Sequence, residues 1–203
     1  MNFAARFTKS IFFFLLSTLL ITTHSNAAEI GGVKIDDTAQ VANQTLKLNG
    51  AGIRYKVFFK VYAAALYLAE QKNSAPEILA LPGAKRVSLV ILRDLRSEEL
   101  GQRFMDGIKK NADLNERTKL VDSMLAFGQN FALLPDMKKG DIINMDWIPG
   151  SGATAFYNGK KFGSPIQDPL FYNALLRIWI GHSPVDDKLK QAWLSGKIDE
   201  GTH

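Results

Sequence analysis

The chain has 203 residues, is 46% hydrophobic and carries a formal charge of +5, which suits one domain with a buried core. It contains no cysteine, so disulfides, thiolate metal sites, cysteine nucleophiles and cysteine-linked lipid are excluded. Its lysines are scattered and no basic stripe interleaves with aromatics, so nucleic acid is not an expected partner.

Residues 1–28 read as a signal peptide. Arg6 and Lys9 precede the apolar run Ile11–Ile21, and Ser25-Asn26-Ala27 offers a small-x-small cleavage site. As a helix that run spans about 16 Å, against roughly 30 Å of bilayer core, so removal is expected rather than anchoring. The expected product is periplasmic, with no stable membrane anchor and a charge of +3 once Arg6 and Lys9 are gone.

Glu29–Ile35 and Thr45–Leu48 read as short strands around a polar connection, Asp36–Asn43. The stretch Leu48–Leu68 then places Gly50 and Gly52 around Ala51, followed by Arg54 and a run of aromatic, β-branched and alanine residues broken by Lys56 and Lys60. Val57, Phe59 and Val61 alternate with Lys56, Phe58, Lys60 and Tyr62, the pattern of a strand. Glycines there permit a sharp turn or a close approach. Arg54 stands either at the mouth of a site where sheet meets solvent, or as a cap in water.

Further on, Glu77–Leu81 is a candidate short helix and Lys85–Leu92 a strand. Ser97 is positioned as an N-cap, with Glu98 and Glu99 in the first turn and Leu100, Phe104 and Ile108 on one stripe. Leu120, Met124, Phe127 and Phe131 form a second stripe that Pro135 ends. Both stripes read as core. Ile142–Ile148 and Ala153–Tyr157 are strands joined at Pro149–Gly152, a turn lacking the Gly-Lys-Ser/Thr ending of a phosphate loop. Asn158-Gly159 predicts a hairpin into Lys160–Phe162. Asp168-Pro169 opens a helix with Leu170, Phe171, Ala174, Leu175, Ile178 and Trp179 inward, and Gly181 ends it. A last helix, Asp186–Leu194, precedes a polar tail from residue 197. The domain therefore spans residues 29–196. Strands, helices, a hairpin and helices again describe an α+β domain, an antiparallel sheet covered by a layer of helices.

His24 falls in the leader and His203 is the last residue, leaving His182 as the one histidine of the domain. A zinc site or a Ser-His-acid triad has little to draw on, and His182 reads as a helix-end cap. No carboxylate pair lies at helical spacing in an apolar stretch, so acid–base hydrolysis has no visible site. No cofactor is expected.

Asn49-Gly50-Ala51-Gly52-Ile53-Arg54 resembles the Gly-Gly-Ala-Gly-Val-Arg run of the plant chalcone isomerases, and Lys60-Val61-Tyr62 through Tyr67-Leu68 resembles their following strand. Ile180-Gly181-His182 and Lys188-Leu189-Lys190 give a weaker second match. The chain is thus similar to the chalcone isomerase-like family, whose members include isomerases that close a flavanone ring, fatty-acid-binding proteins and others without assigned activity. The resemblance implies an open-faced β-sandwich. It places Arg54 at the family's site arginine, Tyr62 at a strand threonine, Leu100 and Gly107 at a helix tyrosine and asparagine, and Ile178 at a late hydroxyl. Leu100 and Ile178 cannot donate the hydrogen bonds that ring closure needs. The reading that follows is an exported, non-catalytic protein holding a fatty acid or similar amphipathic carboxylate, with Arg54 and Tyr62 as ligand-binding residues. The alternatives are an isomerase or lyase of unassigned substrate, and an interaction module of the cell envelope. On one straight strand Arg54 and Tyr62 stand about 26 Å apart. They share a site only if the chain turns back between them; otherwise Tyr62 is ordinary sheet packing.

Overall fold

The computed structural model describes residues 27–199 and Gly201. The leader expected over residues 1–28 lies outside them, apart from Ala27 and Ala28, which begin the first strand.

The run after Gln44 doubles back on itself. Strand β4 covers Gln44–Lys56 and β5 covers Phe59–Leu68, joined by a two-residue turn in which Val57 adopts φ +59°. The single strand expected through Val57–Tyr62 is therefore a hairpin, and Thr45–Leu48 is the start of its first arm. Valine at positive φ is a strained choice where glycine or asparagine is usual, so local propensity gave no warning of the turn. The register pairs Lys56 with Phe59, Tyr55 with Lys60 and Arg54 with Tyr62.

This hairpin sits in a seven-stranded antiparallel meander. Its members are β3 (Thr38–Val41), β4, β5, β6 (Lys85–Ile91), β7 (Ile142–Ile148), β8 (Gly152–Tyr157) and β9 (Lys160–Ile166), each beside the next. Strand β3 lies within the stretch expected to be an irregular connection. The strand expected over Glu29–Ile35 is a separate hairpin, β1 (Ala27–Ile30) and β2 (Val33–Asp36), because Gly31 and Gly32 both turn at positive φ. The Asn158-Gly159 turn joins β8 to β9 as expected.

Residue alternation gives the sheet two working faces. Tyr62, Ala64, Leu66 and Leu68 of β5, with Val87, Leu89 and Ile91 of β6, face the helices. Ala63, Ala65, Tyr67 and Val90 face the other way, toward Ile30 and Ile35 of the small hairpin. The helical layer contains α1 (Ala75–Ala80), α2 (Ser97–Lys110), α3 (Leu114–Lys119), α4 (Val121–Phe131), α5 (Pro169–Ile180) and α6 (Asp187–Ser195). Its centre is aromatic: Trp179 lies 5.6 Å from Trp193 and 5.5 Å from Phe104, ring centre to ring centre.

Asp168 caps α5 by accepting from the Leu170 amide at 2.9 Å, and Asp186 caps α6 by accepting from the Leu189 amide at 3.1 Å. Ser97 does not cap α2. It is the first helical residue, and its buried hydroxyl donates to the Leu134 carbonyl at 3.0 Å, which fastens the helix to the loop after α4. His182 is exposed beyond the end of α5, and the Gly181 carbonyl is taken by the Lys190 ammonium at 2.7 Å. The expected histidine cap is thus a lysine from α6.

The tail expected from residue 197 is bound as far as Asp199. The Ala51 amide donates to the Lys197 carbonyl at 3.1 Å and the Asp199 amide donates to the Ala51 carbonyl at 2.8 Å. It covers the part of β4 that β3 is too short to reach, a natural cure for an open sheet edge.

Candidate functional site

Gly50, Gly52 and Arg54 share the helix-facing side of β4, opposite Leu66, Ala64 and Tyr62. The two glycines seat α6. A Cβ on Gly50 would stand 2.4 Å from the Ala192 carbonyl oxygen, and one on Gly52 would stand 3.1 Å from Leu189. Asn49 completes the seat from a buried position. Its amide group donates to the Lys72 and Trp193 carbonyls at 2.9 and 2.7 Å, and its carbonyl accepts from the Lys72 amide at 2.7 Å. Beyond the start of α6 the next residue on this face is Arg54, which lines an open cleft instead.

Arg54 and Tyr62 line one cleft of about 270 Å³ at the edge of the helical layer. Directly paired residues on one sheet face hold their Cβ atoms about 5 Å apart, so the hairpin brings together what the sequence left eight residues apart. The walls are Val61, Leu100, Phe104, Gly107, Pro184 and Val185. Four cations, Arg54, Lys56, Arg103 and Lys110, stand around it against one acid, Asp106. That balance favours an anionic head group entering over an apolar floor.

Arg54 is half-buried. Among the described residues no carboxylate pairs with it. Asp186 is spent on backbone amides, those of Leu189 and, at 3.2 Å, Tyr55. The Tyr62 hydroxyl accepts from the Trp179 indole N–H at 3.2 Å, and its own proton finds no acceptor among the described residues. Burial pushes the Tyr62 phenol up to about 12, although Arg54 and the Trp179 hydrogen bond pull it down. It is therefore a neutral donor at physiological pH. A phenol raised from about 10 in the unfolded chain retains its proton longer when folded. The stability this gives is complete below pH 10 and is lost as pH climbs toward 12. Thermal melts between pH 9 and 12 should show a falling melting temperature, with a shallower fall in Tyr62→Phe than in wild type.

Of the other positions singled out in the sequence, Leu100 and Gly107 line the cleft, whereas Ile178 is fully buried against Gly107. Lys56, Arg103, Lys110, Pro184 and Val185 were not singled out as site residues. Leu100, Arg103, Phe104, Gly107 and Lys110 recur at helical spacing on α2, so the apolar stripe there is core at its centre and cleft wall along one margin. The space between sheet and helices below is filled by Phe104, Trp179 and Trp193, and a second recess in that layer, near Phe127 and Phe171, measures only about 20 Å³. Among the described residues no cluster of acids and histidine could hold a metal, and no helix is long and apolar enough to cross a membrane.

A chalcone isomerase-like family model matches residues 27–195. The chain belongs to the chalcone isomerase-like family. No curated protein matches it. A solved structure of a fatty-acid binding protein from Arabidopsis thaliana superposes with a TM-score of 0.63, covering 83% of this chain and 96% of that one at 16% identity. At that identity the likeness establishes the fold, which is the open-faced antiparallel sheet with its helical layer. In this chalcone isomerase-like chain the glycine–arginine motif divides its work. Asn49, Gly50 and Gly52 fix α6, while Arg54 alone faces the cleft.

Proposed function

We propose that this protein binds a small amphipathic carboxylate of the fatty-acid class without transforming it, with Arg54 as the head-group anchor. The observation that carries this reading is a half-buried Arg54 with no acid partner among the described residues, set across from a phenol whose proton has no acceptor among them. A carboxylate satisfies both at once, by accepting from Arg54 through two oxygens and from Tyr62 through one. Kinship with a fold that includes a fatty-acid binding protein supports the ligand class. Leu100 at the cleft wall, where the resemblance implies a hydroxyl-bearing tyrosine, supports an apolar tail over a polyphenol. Export to the periplasm belongs to the same proposal and is supported by Arg6, Lys9 and the run Ile11–Ile21.

The test is native purification followed by lipid mass spectrometry of wild type and Arg54→Ala. Wild type should carry acyl acids and the variant little. Equal loads, or none in either, would overturn the proposal.

The filled interior bears on chain length. At about 270 Å³ the cleft falls just below the usual range of ligand pockets, roughly 300 to 1,000 Å³. Each methylene that fits contributes about 0.8 kcal/mol, and each one left in water contributes nothing. Calorimetric titration with saturated acids of increasing length should therefore show affinity rising and then levelling, with the plateau reached at medium chain length. Tyr62→Phe should lower affinity across the series by roughly tenfold or more, tenfold being the lower end for one hydrogen bond to a charged group.

A further inference from the structure

The turn between β4 and β5 holds Val57, Phe58 and Phe59 in water at 76, 88 and 61% exposure. They form three consecutive apolar side chains at the tip of a hairpin. Val57 holds a positive φ there that a glycine or asparagine would adopt without strain. Polar turn residues would serve the fold better on both counts, so the tip is not explained by folding.

Its surroundings say what would cover it. Lys56 and Lys60 flank the tip on its two strands and both are exposed. The Arg93 guanidinium lies over the Phe59 ring at 5.0 Å. From Arg54 to Ala69 the chain has three cations and no acid, and the neighbouring Asp94 is already paired with Lys138 at 2.9 Å. Apolar side chains ringed by lysine and arginine match the boundary between acyl chains and anionic head groups of a bilayer. The cleft is continuous with this tip, because Arg54 and Lys56 line it from one arm and Val61 and Tyr62 from the other.

We propose that the Val57–Phe59 tip docks the protein on a bilayer containing anionic phospholipid, with Phe58 and Phe59 entering the interface and Lys56, Lys60 and Arg93 lying at the head groups. Docking in this way sets the cleft mouth at the membrane surface. The inference stands independently of the cargo, since Val57, Phe58, Phe59, Lys60 and Arg93 lie outside the cleft lining and Lys56 alone is shared with it.

The test is co-sedimentation of the purified protein with vesicles of phosphatidylglycerol and phosphatidylcholine in equal parts, and with phosphatidylcholine alone. Wild type is expected on the anionic vesicles, with weaker binding to the neutral ones and loss of binding at high salt. Phe58→Ser is expected to reduce binding on the order of tenfold, and Lys56→Ala with Lys60→Ala by a similar factor or more. All three substitutions are at exposed positions, and thermal melts verify that the fold is kept. Phe58→Trp supplies a direct reading: its fluorescence should shift to the blue on anionic vesicles and be quenched by brominated acyl chains. Equal sedimentation of wild type and Phe58→Ser, an indole that stays in water, or a tip-dependent dimer in the absence of vesicles would overturn the proposal.

Discussion

Arg54→Ala is expected to weaken binding of a medium-chain fatty acid by roughly 10- to 150-fold while leaving the fold intact. The range follows from about 1.5–3 kcal/mol for a hydrogen-bonded charged pair. The loss should be specific to the head group. The apolar wall of Leu100, Phe104 and Val185 is untouched by the substitution, so a neutral alcohol or ester of the same chain length should bind wild type and variant alike. Arg54→Lys should recover only part of the affinity, since an ammonium retains the charge but cannot present two parallel N–H groups to a carboxylate. Isothermal titration of the three proteins against acid and alcohol measures all of this. A fatty acid that binds Arg54→Ala as tightly as wild type would show that the guanidinium is not its anchor. The fold should survive because Arg54 has no ion pair to lose among the described residues.

Gly50→Val is expected to be the most damaging single change in the same motif, and to act through stability. Any Cβ at this position meets the backbone of α6, at 2.4 Å from the Ala192 carbonyl oxygen and 2.7 Å from Trp193 Cα. Backbone cannot rotate out of the way as a side chain can, so α6 must lift from β4. Overpacking of this kind costs about 3 kcal/mol or more, which for a domain of this size lowers the melting temperature by about 6–12 °C. Lifting α6 also frees Asn49 from the Trp193 carbonyl and loosens Trp193 against Trp179. Thermal unfolding followed by circular dichroism tests the effect. A melting temperature within a degree or two of wild type would contradict the seating role assigned to this glycine.

The contrast between these neighbours shows what the sequence made legible. The motif Asn49–Arg54 was visible because its residue types are unusual together, and the α+β layering followed from period-two and period-four apolar patterns. Asp168-Pro169 and Asn158-Gly159 were readable because cap and turn chemistry act within a few residues. The pairing of Arg54 with Tyr62 was not readable. It depends on a turn at Val57, whose β-branched side chain argues for extended backbone, and only the flanking sheet makes the turn worthwhile. The same override hid β3, which is short and polar and gains its place by pairing with β4. Strand β2 hid behind Gly31-Gly32 for a different reason, since glycines inside an apolar run read as a weak strand as easily as a hairpin.

The cleft was legible in part. Arg54 stood out after the glycines and Tyr62 came from the resemblance, but Arg103 and Lys110 lie on a helix whose stripe looked like core alone. Which margin of such a stripe borders solvent is decided by how α2 crosses α5, where Gly107 lets Ile178 approach. Pro184 and Val185 belong to a connection whose path no local pattern specifies. The filled space under Tyr62 depends likewise on how Trp179, Trp193 and Phe104 pack together, which their spacing along the chain does not encode.

The most direct test of the central claim is a carbon-13 NMR pH titration of octanoate labelled at its carboxyl carbon, bound to wild type. Held by the Arg54 guanidinium and the Tyr62 hydroxyl, the bound carboxylate should stay ionised well below the pH at which free octanoate protonates, and Arg54→Ala should restore the ordinary value. A bound carboxyl group that titrates as it does in water, in wild type as in the variant, would mean that the head group lies in solvent and that Arg54 is not its partner.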